Sequence, residues 1–303
     1  MFAFVKQLDI GISDMNKNRF YILAFFLLAG NFVFAQENQA VKISPKDSVI
    51  FQNYKGKVIT EKWNTLPFNE LVTRTGLYFV ETSYVNYTLE INPSEQLVVN
   101  FSELDCTTFV EVCVALARTA VSADFSLSKY CKELQNLRYR GGILKDYTSR
   151  LHYFSDWIFD KEQMGIVKNI TKEIGGYHKP TTVYLMSKRY DMYKALKENP
   201  EFIPTILEQE AEINTREHCF IPKDELDSFA THIQSGDIIA ITTVHVGLDV
   251  THLGLAYWQN GELHLMHASR EFKQVIITPN TMKKYLLSHK GQGGIMVARA
   301  MKP

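Results

Sequence analysis

The stretch "THLGLAYWQNGELHLMHASR", residues 251–270, decides the fold. Its centre holds Asn260-Gly261 between two strand-like runs, and this dipeptide is the strongest short signal for a β-hairpin with a two-residue loop. On either side, residues 233–242 ("IQSGDIIAIT") and 272–279 ("FKQVIITP") also have the pattern of strands. The C-terminal part of the chain therefore predicts an antiparallel sheet.

Two histidines share one face of the predicted hairpin. With a two-residue loop, His267 pairs with Gly254 and becomes a diagonal neighbour of His252. Gly254 has no side chain, so we expect it to leave room over that face. A three-residue loop would change the parity and place His264, instead of His267, beside His252. The shorter loop is the prediction that the sequence favours.

A cysteine stands at the predicted start of a helix in "LDCTTFVEVCVALA", residues 104–117. The apolar residues of this segment recur at helical spacing, at positions 109, 112, 113, 116 and 120. Asp105 is a good N-cap residue, which places Cys106 in the first turn. There the positive end of the helix dipole favours a thiolate, although the charge of Asp105 opposes it slightly. An isolated cysteine beside an apolar run is more often structural, and we interpret Cys113 in that way.

The two hairpin histidines supply what a cysteine nucleophile needs. His252 would take the proton from Cys106 and His267 would orient His252, which is the logic of nucleophile, base and orienting group. His245, in "TTVHVGLDVTH", also resembles a catalytic strand histidine. Asp249 follows it at once and no apolar alternation develops, so the pattern predicts a loop histidine there.

The remaining cysteines and histidines have no metal-like spacing. Cys131 and Cys219 are interpreted as structural, while a disulfide between them stays open in an exported chain. A zinc site of cysteine and histidine is an alternative in principle, since both ligate zinc. We predict no metal and no cofactor. The histidines interpreted as solvated or structurally satisfied are His152, His178, His218, His232 and His289.

Composition and charge exclude several classes of protein. The 303 residues are 46% hydrophobic with a formal net charge of zero, so electrostatics do not favour a nucleic-acid partner. Helical patterns fill the middle of the chain before the strands begin, which predicts an α+β fold. We expect one domain over residues 36–303, with an N-terminal strand and turns at 36–66 and a large helical insertion at about 120–230.

The N-terminal residues have the pattern of a signal peptide. From Met15, Lys17 and Arg19 precede an apolar run that ends at small residues before Ala35. The run is shorter than the ~20 residues of a membrane-spanning helix. We therefore predict a signal peptide at residues 1–35, with Met15 as the alternative start, and an exported, periplasmic protein without a stable membrane anchor. An uncleaved N-terminal anchor is the alternative.

Four short motifs resemble those of the NlpC-type cell-wall peptidases, which are papain-like cysteine hydrolases. "DCTT" (105–108), "SGD" (235–237), "HLGL" (252–255) and "HAS" (267–269) are similar to the family's Asp-Cys-Ser-Gly, Gly-Asp, His-Val-Gly-Ile and His-Ala. Tyr84, in "SYVNYTLE", matches a family tyrosine that precedes the nucleophile helix. The chain departs from the compact members in having two threonines after the cysteine and a long interval between the cysteine and the histidines.

With these departures, the chain resembles one branch of the family, the exported N-acetylmuramoyl-L-alanine amidase-like proteins. "LVVNFSELDCTTFVE", "YRGG", "SRLHYFSDWI" and "GLDVTHLGLA" all look like that branch, and the resemblance runs from about Leu77 onward. It implies a papain-like core in which the nucleophile helix packs on an antiparallel sheet. It also implies hydrolysis of the amide between N-acetylmuramic acid, in its anhydro form, and L-Ala in soluble peptidoglycan fragments.

The substrate contacts and two other functions remain open at this point. Arg150 would meet a substrate carboxylate and Trp157 would stack on a sugar, with Tyr84 and Ser269 as further candidate substrate-binding residues. An amphipathic helix with an aromatic core and a charged rim explains Arg150 and Trp157 equally well. The alternative functions are an endopeptidase that cuts the D-glutamyl–diamino acid bond of the stem peptide and a non-catalytic wall-binding protein. The oligomeric state is left open.

Overall fold

A mostly antiparallel sheet forms the centre of an α+β fold. The computed structural model describes residue 41 and residues 43–303, and the predicted signal peptide lies outside this part. The strands are β1 (Ser83–Tyr84), β2 (Glu103–Leu104), β3 (Val167–Asn169), β4 (Tyr177–His178), β5 (Cys219–Pro222), β6 (Ile238–Thr243), β7 (Val250–Gln259), β8 (Glu262–Ser269), β9 (Gln274–Ile277) and β10 (Gln292–Ala300). Their order in the sheet is β2-β1-β9-β8-β7-β6-β10-β5-β4, with β3 also paired to β10. β1 and β2 run parallel, and the other pairs are antiparallel.

Helices cover both faces of this sheet. They are α1 (Pro45–Thr60), α2 (Phe68–Tyr78), α3 (Cys106–Ala120), α4 (Leu127–Arg138), α5 (Phe154–Gln163), α6 (Leu185–Lys188), α7 (Lys194–Glu198), α8 (Ile203–Ile213), α9 (Leu226–Phe229) and α10 (Met282–Ser288). Within the described residues, every helix is too short or too polar to cross a lipid bilayer.

The strands alternate between two hydrophobic cores. In β6, Ile238 and Ala240 belong to the core that includes α3, while Ile239 and Ile241 belong to the core that includes α10. This is the period-two pattern of a strand buried on both faces. Along most of their length, the central strands are therefore covered on both sides.

The predicted hairpin is confirmed in its turn and its register. Asn260 and Gly261 both have positive φ angles, 51° and 80°, as a type I′ turn requires. Gln259 pairs with Glu262, and Tyr257 pairs with His264. The two-residue loop and its parity are therefore as the sequence indicates.

Gly254 allows two strands to approach closely, which differs from the open space that we expected there. A β-carbon at this position would lie 2.6 Å from the carbonyl oxygen of Met266 and 3.0 Å from Cβ of His267. Real β-carbons do not approach a backbone oxygen so closely. The glycine is thus needed for packing against β8 at the level of the two histidines.

The expectation of a strand and turns at residues 36–66 is wrong for the described part of that range. Helix α1 begins there after Ser44, whose hydroxyl accepts a hydrogen bond from the amide of Asp47 at 3.0 Å. Phe51, Tyr54 and Val58 are buried on one face, three and four residues apart. This spacing is that of an amphipathic helix, and scattered polar residues between them obscured it.

The insertion at residues 120–230 is mixed and not purely helical. It contributes β3, β4 and β5 as well as α4 to α9. Two of its strands, β3 and β5, pair with β10, which the sequence patterns did not identify. These strands are only three and four residues long, so their pattern is too short to recognise without their distant partner.

Substituting Gly254→Ala should destabilise the protein by about 1–3 kcal/mol, because the added carbon must displace the backbone of β8. Gly56 lies at an exposed position of helix α1, where an added β-carbon would meet open space. Gly56→Ala should therefore stabilise the protein by about 0.5–1 kcal/mol. Guanidinium unfolding followed by circular dichroism measures both. Equal effects of the two substitutions would contradict the close approach at Gly254.

Candidate functional site

The start of α3 holds Cys106 in a rigid capping arrangement. Asp105 has an extended backbone, and its carboxylate accepts a hydrogen bond from the amide of Thr108 at 2.8 Å. The Thr108 hydroxyl in turn accepts one from the amide of Asp105 at 2.8 Å. This reciprocal pair is a capping box, and it confirms that Cys106 is the first residue of the helix. The residue as a whole is partly exposed, while its sulfur is buried.

The rest of α3 is buried and fixed by ion pairs to α4. Glu111 lies 2.8 Å from Arg138, and Arg118 lies 2.8 Å from Glu133. Cys113 is fully buried in the same core, so its interpretation as a structural residue is confirmed. The helix that carries Cys106 therefore has a firmly held body.

The histidine pair forms as the hairpin register predicts. Nε2 of His252 lies 2.5 Å from Nδ1 of His267, with the two rings nearly perpendicular. His264 lies on the opposite face of the hairpin, where its Nδ1 is 2.8 Å from the carbonyl oxygen of Thr278. The structure thus brings His252 and His267 together and keeps His264 apart.

The hydrogen bond between these rings limits which tautomers are compatible with catalysis. One proton lies between the two nitrogens, and it must belong to Nε2 of His252 if Nδ1 of that ring is to accept another proton. His267 must then carry its own proton on Nε2. That atom is buried and has no hydrogen-bond partner among the described residues, while the ring of Tyr285 packs 5.4 Å from the His267 ring.

The sulfur of Cys106 lies next to β7. The backbone of Leu253, the residue after His252, lies close enough to the sulfur to lower its pKa. Burial, followed by the charge of Asp105, outweighs this contact and raises the pKa of Cys106 to about 12. The net pKa of the sulfur therefore lies above its ordinary value, because desolvation is the largest effect, and the charge of Asp105 opposes the thiolate as expected.

Burial also keeps both imidazoles neutral. It lowers the pKa of His252 to about 4, with a smaller contribution from the charge of His289. It lowers the pKa of His267 to about 2, assisted by His252 and then His289. A neutral thiol and two neutral imidazoles are thus the resting state near pH 7.

A pocket of about 430 Å³ opens over the histidine pair. Ser269 lies in its wall, and its hydroxyl accepts a hydrogen bond from the amide of Phe272 at 3.2 Å. Tyr84, half-buried in β1, lies close enough to Cys106 for the sulfur's charge to influence its pKa, which burial raises. The residues that line the pocket are His252, His267, Ser269, Arg270, Glu271, Lys273, Tyr285 and His289.

Several lining residues were missed in the sequence. Tyr285 and His289 come from α10 and the residue after it, and their rings pack 4.5 Å apart. Their separation of four residues is typical of neighbours on a helix, and this is the one signal that could have linked them. Arg270, Glu271 and Lys273 follow the "HAS" motif directly, so their position beside the histidines could have indicated the rim of the pocket.

Ser269 is the one predicted substrate-binding residue in this pocket lining, and the other three, Tyr84, Arg150 and Trp157, lie outside it. Arg150 is 8% exposed and is bound by Glu90 at 2.6 Å and Glu95 at 2.5 Å, which occupy its donors. Trp157 is 1% exposed and stacks on Phe154. The structure therefore does not support contact of either side chain with a ligand in this pocket. The alternative of an aromatic core with ionic contacts describes them better, because their binding surfaces are already covered.

The other polar candidates have structural positions. His245 is exposed in the loop after β6, as the sequence predicts. Asp237 of the "SGD" motif is buried and forms a two-point ion pair with Arg299 at 2.8 Å. Within the described residues, no group of three or more histidine, cysteine or acidic side chains is arranged to hold a metal ion. The four cysteines are free thiols.

Comparison with known proteins gives a consistent family. The model of a family described as AmiA-like, N-acetylmuramoyl-L-alanine amidase-like, matches residues 74–295. A crystal structure of an N-acetylmuramoyl-L-alanine amidase from Bacteroides uniformis is 34% identical, covers 78% of this chain and 99% of its own, and has a TM-score of 0.75. Another crystal structure of such an amidase from the same organism is 35% identical, with 76% and 99% coverage and a TM-score of 0.74.

A third similar structure has a different description. It comes from Bacteroides fragilis and is provisionally described as a xylanase, with 37% identity, coverage of 75% of this chain and 99% of its own, and a TM-score of 0.72. No curated protein sequence is similar enough to the chain to count as a match. The family model spans most of the chain, and the two amidase structures agree with it. The chain therefore belongs to the AmiA-like family of N-acetylmuramoyl-L-alanine amidase-like proteins.

Proposed function

We propose that the protein is a cysteine amidase that hydrolyses the amide between N-acetylmuramic acid, in its anhydro form, and L-Ala in soluble peptidoglycan fragments. The observation that carries this proposal is the bonded pair His252–His267, together with the position of the Cys106 sulfur next to Leu253, the residue that follows His252 in β7. Membership of the AmiA-like family supports the choice of bond. A cysteine at a helix start facing histidines on a β-hairpin is also what a papain-like, NlpC-type core would contain.

The first half of the reaction forms a thioester. The sulfur of Cys106 attacks the lactyl carbonyl carbon while its proton moves to Nδ1 of His252, whose positive charge the bonded His267 stabilises. Free backbone N–H groups in the first turn of α3 are suited to stabilise the oxygen that gains negative charge. His252 then gives the proton to the nitrogen of L-Ala, the C–N bond breaks and the peptide leaves.

The second half restores the enzyme. Water enters where the peptide amine has left, and His252 accepts one of its protons as the oxygen attacks the thioester carbonyl. The C–S bond breaks, the sulfur regains a proton from His252, and the muramic acid carboxyl group is released. The neutral resting pair means that proton transfer accompanies the attack, because burial disfavours a separate thiolate.

The residues of the site agree less well with the alternative functions than with an amidase. A stem-peptide endopeptidase would need the same thiol and histidines, and the family description favours the amidase over it. A wall-binding protein would not need a nucleophile, a base and an orienting group together. Glycoside hydrolysis of the xylanase kind uses a pair of carboxyl groups, whereas Glu271 is the one acidic residue in the lining of the described pocket.

The proposed substrate also fits the proposed location. Soluble wall fragments are found where the wall is built and degraded, and the signal peptide predicted at residues 1–35 would export the protein to the periplasm. The mature chain would then act without a membrane anchor on fragments that diffuse to it.

Replacing the nucleophile should abolish hydrolysis without unfolding the protein. Cys106→Ala should lower kcat by at least about a thousandfold, since the covalent step is lost. Cys113→Ala is the matched control: it should retain activity and lose about 1 kcal/mol of stability through a small core cavity. Mass spectrometry of anhydro-muropeptide digests identifies the products. Release of the intact peptide supports the amidase, while cleavage after its second residue supports the endopeptidase.

The base should be His252 and not the nearby loop histidine. His252→Ala should lower kcat by at least about a hundredfold, the usual contribution of general acid–base catalysis. The exposed His245→Ala should remain within about twofold of the parent enzyme, as is usual for surface substitutions. The same product assay compares the two variants. An inactive His245 variant beside an active His252 variant would overturn the assignment.

The pH at which activity falls on the acid side of the profile should be unusually low. His252 acts only when unprotonated, and its pKa of about 4 means that protonation removes the base as the pH falls through that value. The ratio kcat/KM should therefore stay level from neutral pH to about pH 5 and fall below it. Circular dichroism at each pH checks that the protein remains folded. An inflection near 6.5 would contradict the burial of this imidazole.

A further inference from the structure

The loop between β8 and β9 contributes two positively charged side chains to the lining of the pocket. Arg270 and Lys273 line it together with the histidine pair, and both side chains are exposed. Neither forms a salt bridge within the described part of the chain. This contrasts with Arg150, whose donors are bound by two glutamates. The charges of Arg270 and Lys273 are therefore free to meet a ligand.

This short loop is held in place by its own hydrogen bonds. The hydroxyl of Ser269 accepts from the amide of Phe272, and the carbonyl of Lys273 accepts from the amide of Tyr84 at 2.8 Å. Lys273 has a positive φ of 59°, and Ser269 pairs with Gln274 where β9 begins. The loop thus has a defined path along the rim of the pocket.

The loop is also connected to the segment that carries Cys106. The amide of Tyr84 donates to the carbonyl of Lys273 at 2.8 Å, and Tyr84 in β1 pairs with Leu104 in β2. Leu104 is followed by Asp105, the N-cap of the helix that begins at Cys106. The cations of the loop therefore lie one strand away from the residues that lead into the proposed nucleophile.

We propose that Arg270 and Lys273 bind carboxylates of the stem peptide and so fix the direction in which the substrate lies across Cys106. This inference rests on the proposed function. The only acid of the muramic acid unit is the lactyl carboxyl group, which is consumed in the bond to be cut, so the sugar side is uncharged. Every carboxylate of the substrate lies beyond L-Ala, on the leaving peptide.

The charges of the loop suit such a peptide. Guanidinium groups bind carboxylates through paired hydrogen bonds, and an ammonium group adds a second positive charge. Glu271 lies between the two cations and lines the same pocket, so it repels a carboxylate and attracts an amine. The rim as a whole is complementary to a peptide that carries carboxylates beside an amino group, with an excess of negative charge.

Two substrates that differ in one group test this assignment. Anhydro-N-acetylmuramoyl-L-alanyl-D-glutamate carries an α-carboxylate where its D-isoglutamine counterpart has a neutral carboxamide of the same shape. The parent enzyme should have a KM about tenfold lower for the acid, with kcat nearly unchanged, as for a charge-assisted contact made equally in the ground and transition states. The advantage should shrink as salt is added, since exposed charges are screened.

The double variant Arg270→Gln/Lys273→Gln should lose this preference and its salt dependence, because its KM for the acid should rise to the value for the carboxamide. Lys302→Gln removes an exposed cation that follows the C-terminal end of β10 and forms no salt bridge with residues 43–303, and this variant should behave like the parent enzyme. Equal KM values of the parent enzyme for both substrates, or a preference retained by the double variant, would overturn the inference. Failure to cut either substrate would instead refute the amidase proposal, and with it the inference.

Discussion

The hydrogen bond between His252 and His267 is the constraint on which the site depends. It forms because a two-residue turn fixes the register of β7 against β8, so that the two rings become diagonal neighbours. A shift of one residue would turn one of the rings to the other face of the sheet. Gly254 adds a second condition, since a side chain there would push β8 away at the level of the pair. The geometry of the histidine pair is thus set by backbone features.

Cys106, the proposed nucleophile, is positioned by a different kind of contact. The carboxylate of Asp105 is occupied in capping α3, which fixes the helix start but leaves a negative charge next to Cys106. Burial and this charge both disfavour a thiolate, while the backbone of Leu253 opposes them. In the proposed reaction, the proton of the thiol would therefore move to the histidine pair while the sulfur attacks, and not before it.

Local patterns predicted much of the fold and of the central site. The turn at Asn260-Gly261, the cap at Asp105 and the loop position of His245 depend on residues close in sequence, and all three agree with the structure. Contacts between distant segments could not be predicted in this way. Arg150 looked available because its two glutamate partners lie 55 and 60 residues away. Tyr285 lines the pocket because α10 packs against this side of the sheet, and no short sequence pattern specifies that packing.

The place of β10 in the sheet has a consequence for how the chain acquires its structure. This strand, residues 292–300, follows all the other strands in the chain, yet it lies between β6 and β5 in the interior of the sheet. Until β10 is in place, β6 and β5 have no strand that joins them. The pairing at the centre of the sheet is therefore formed between segments that are far apart in the sequence, which makes it a slow step of folding.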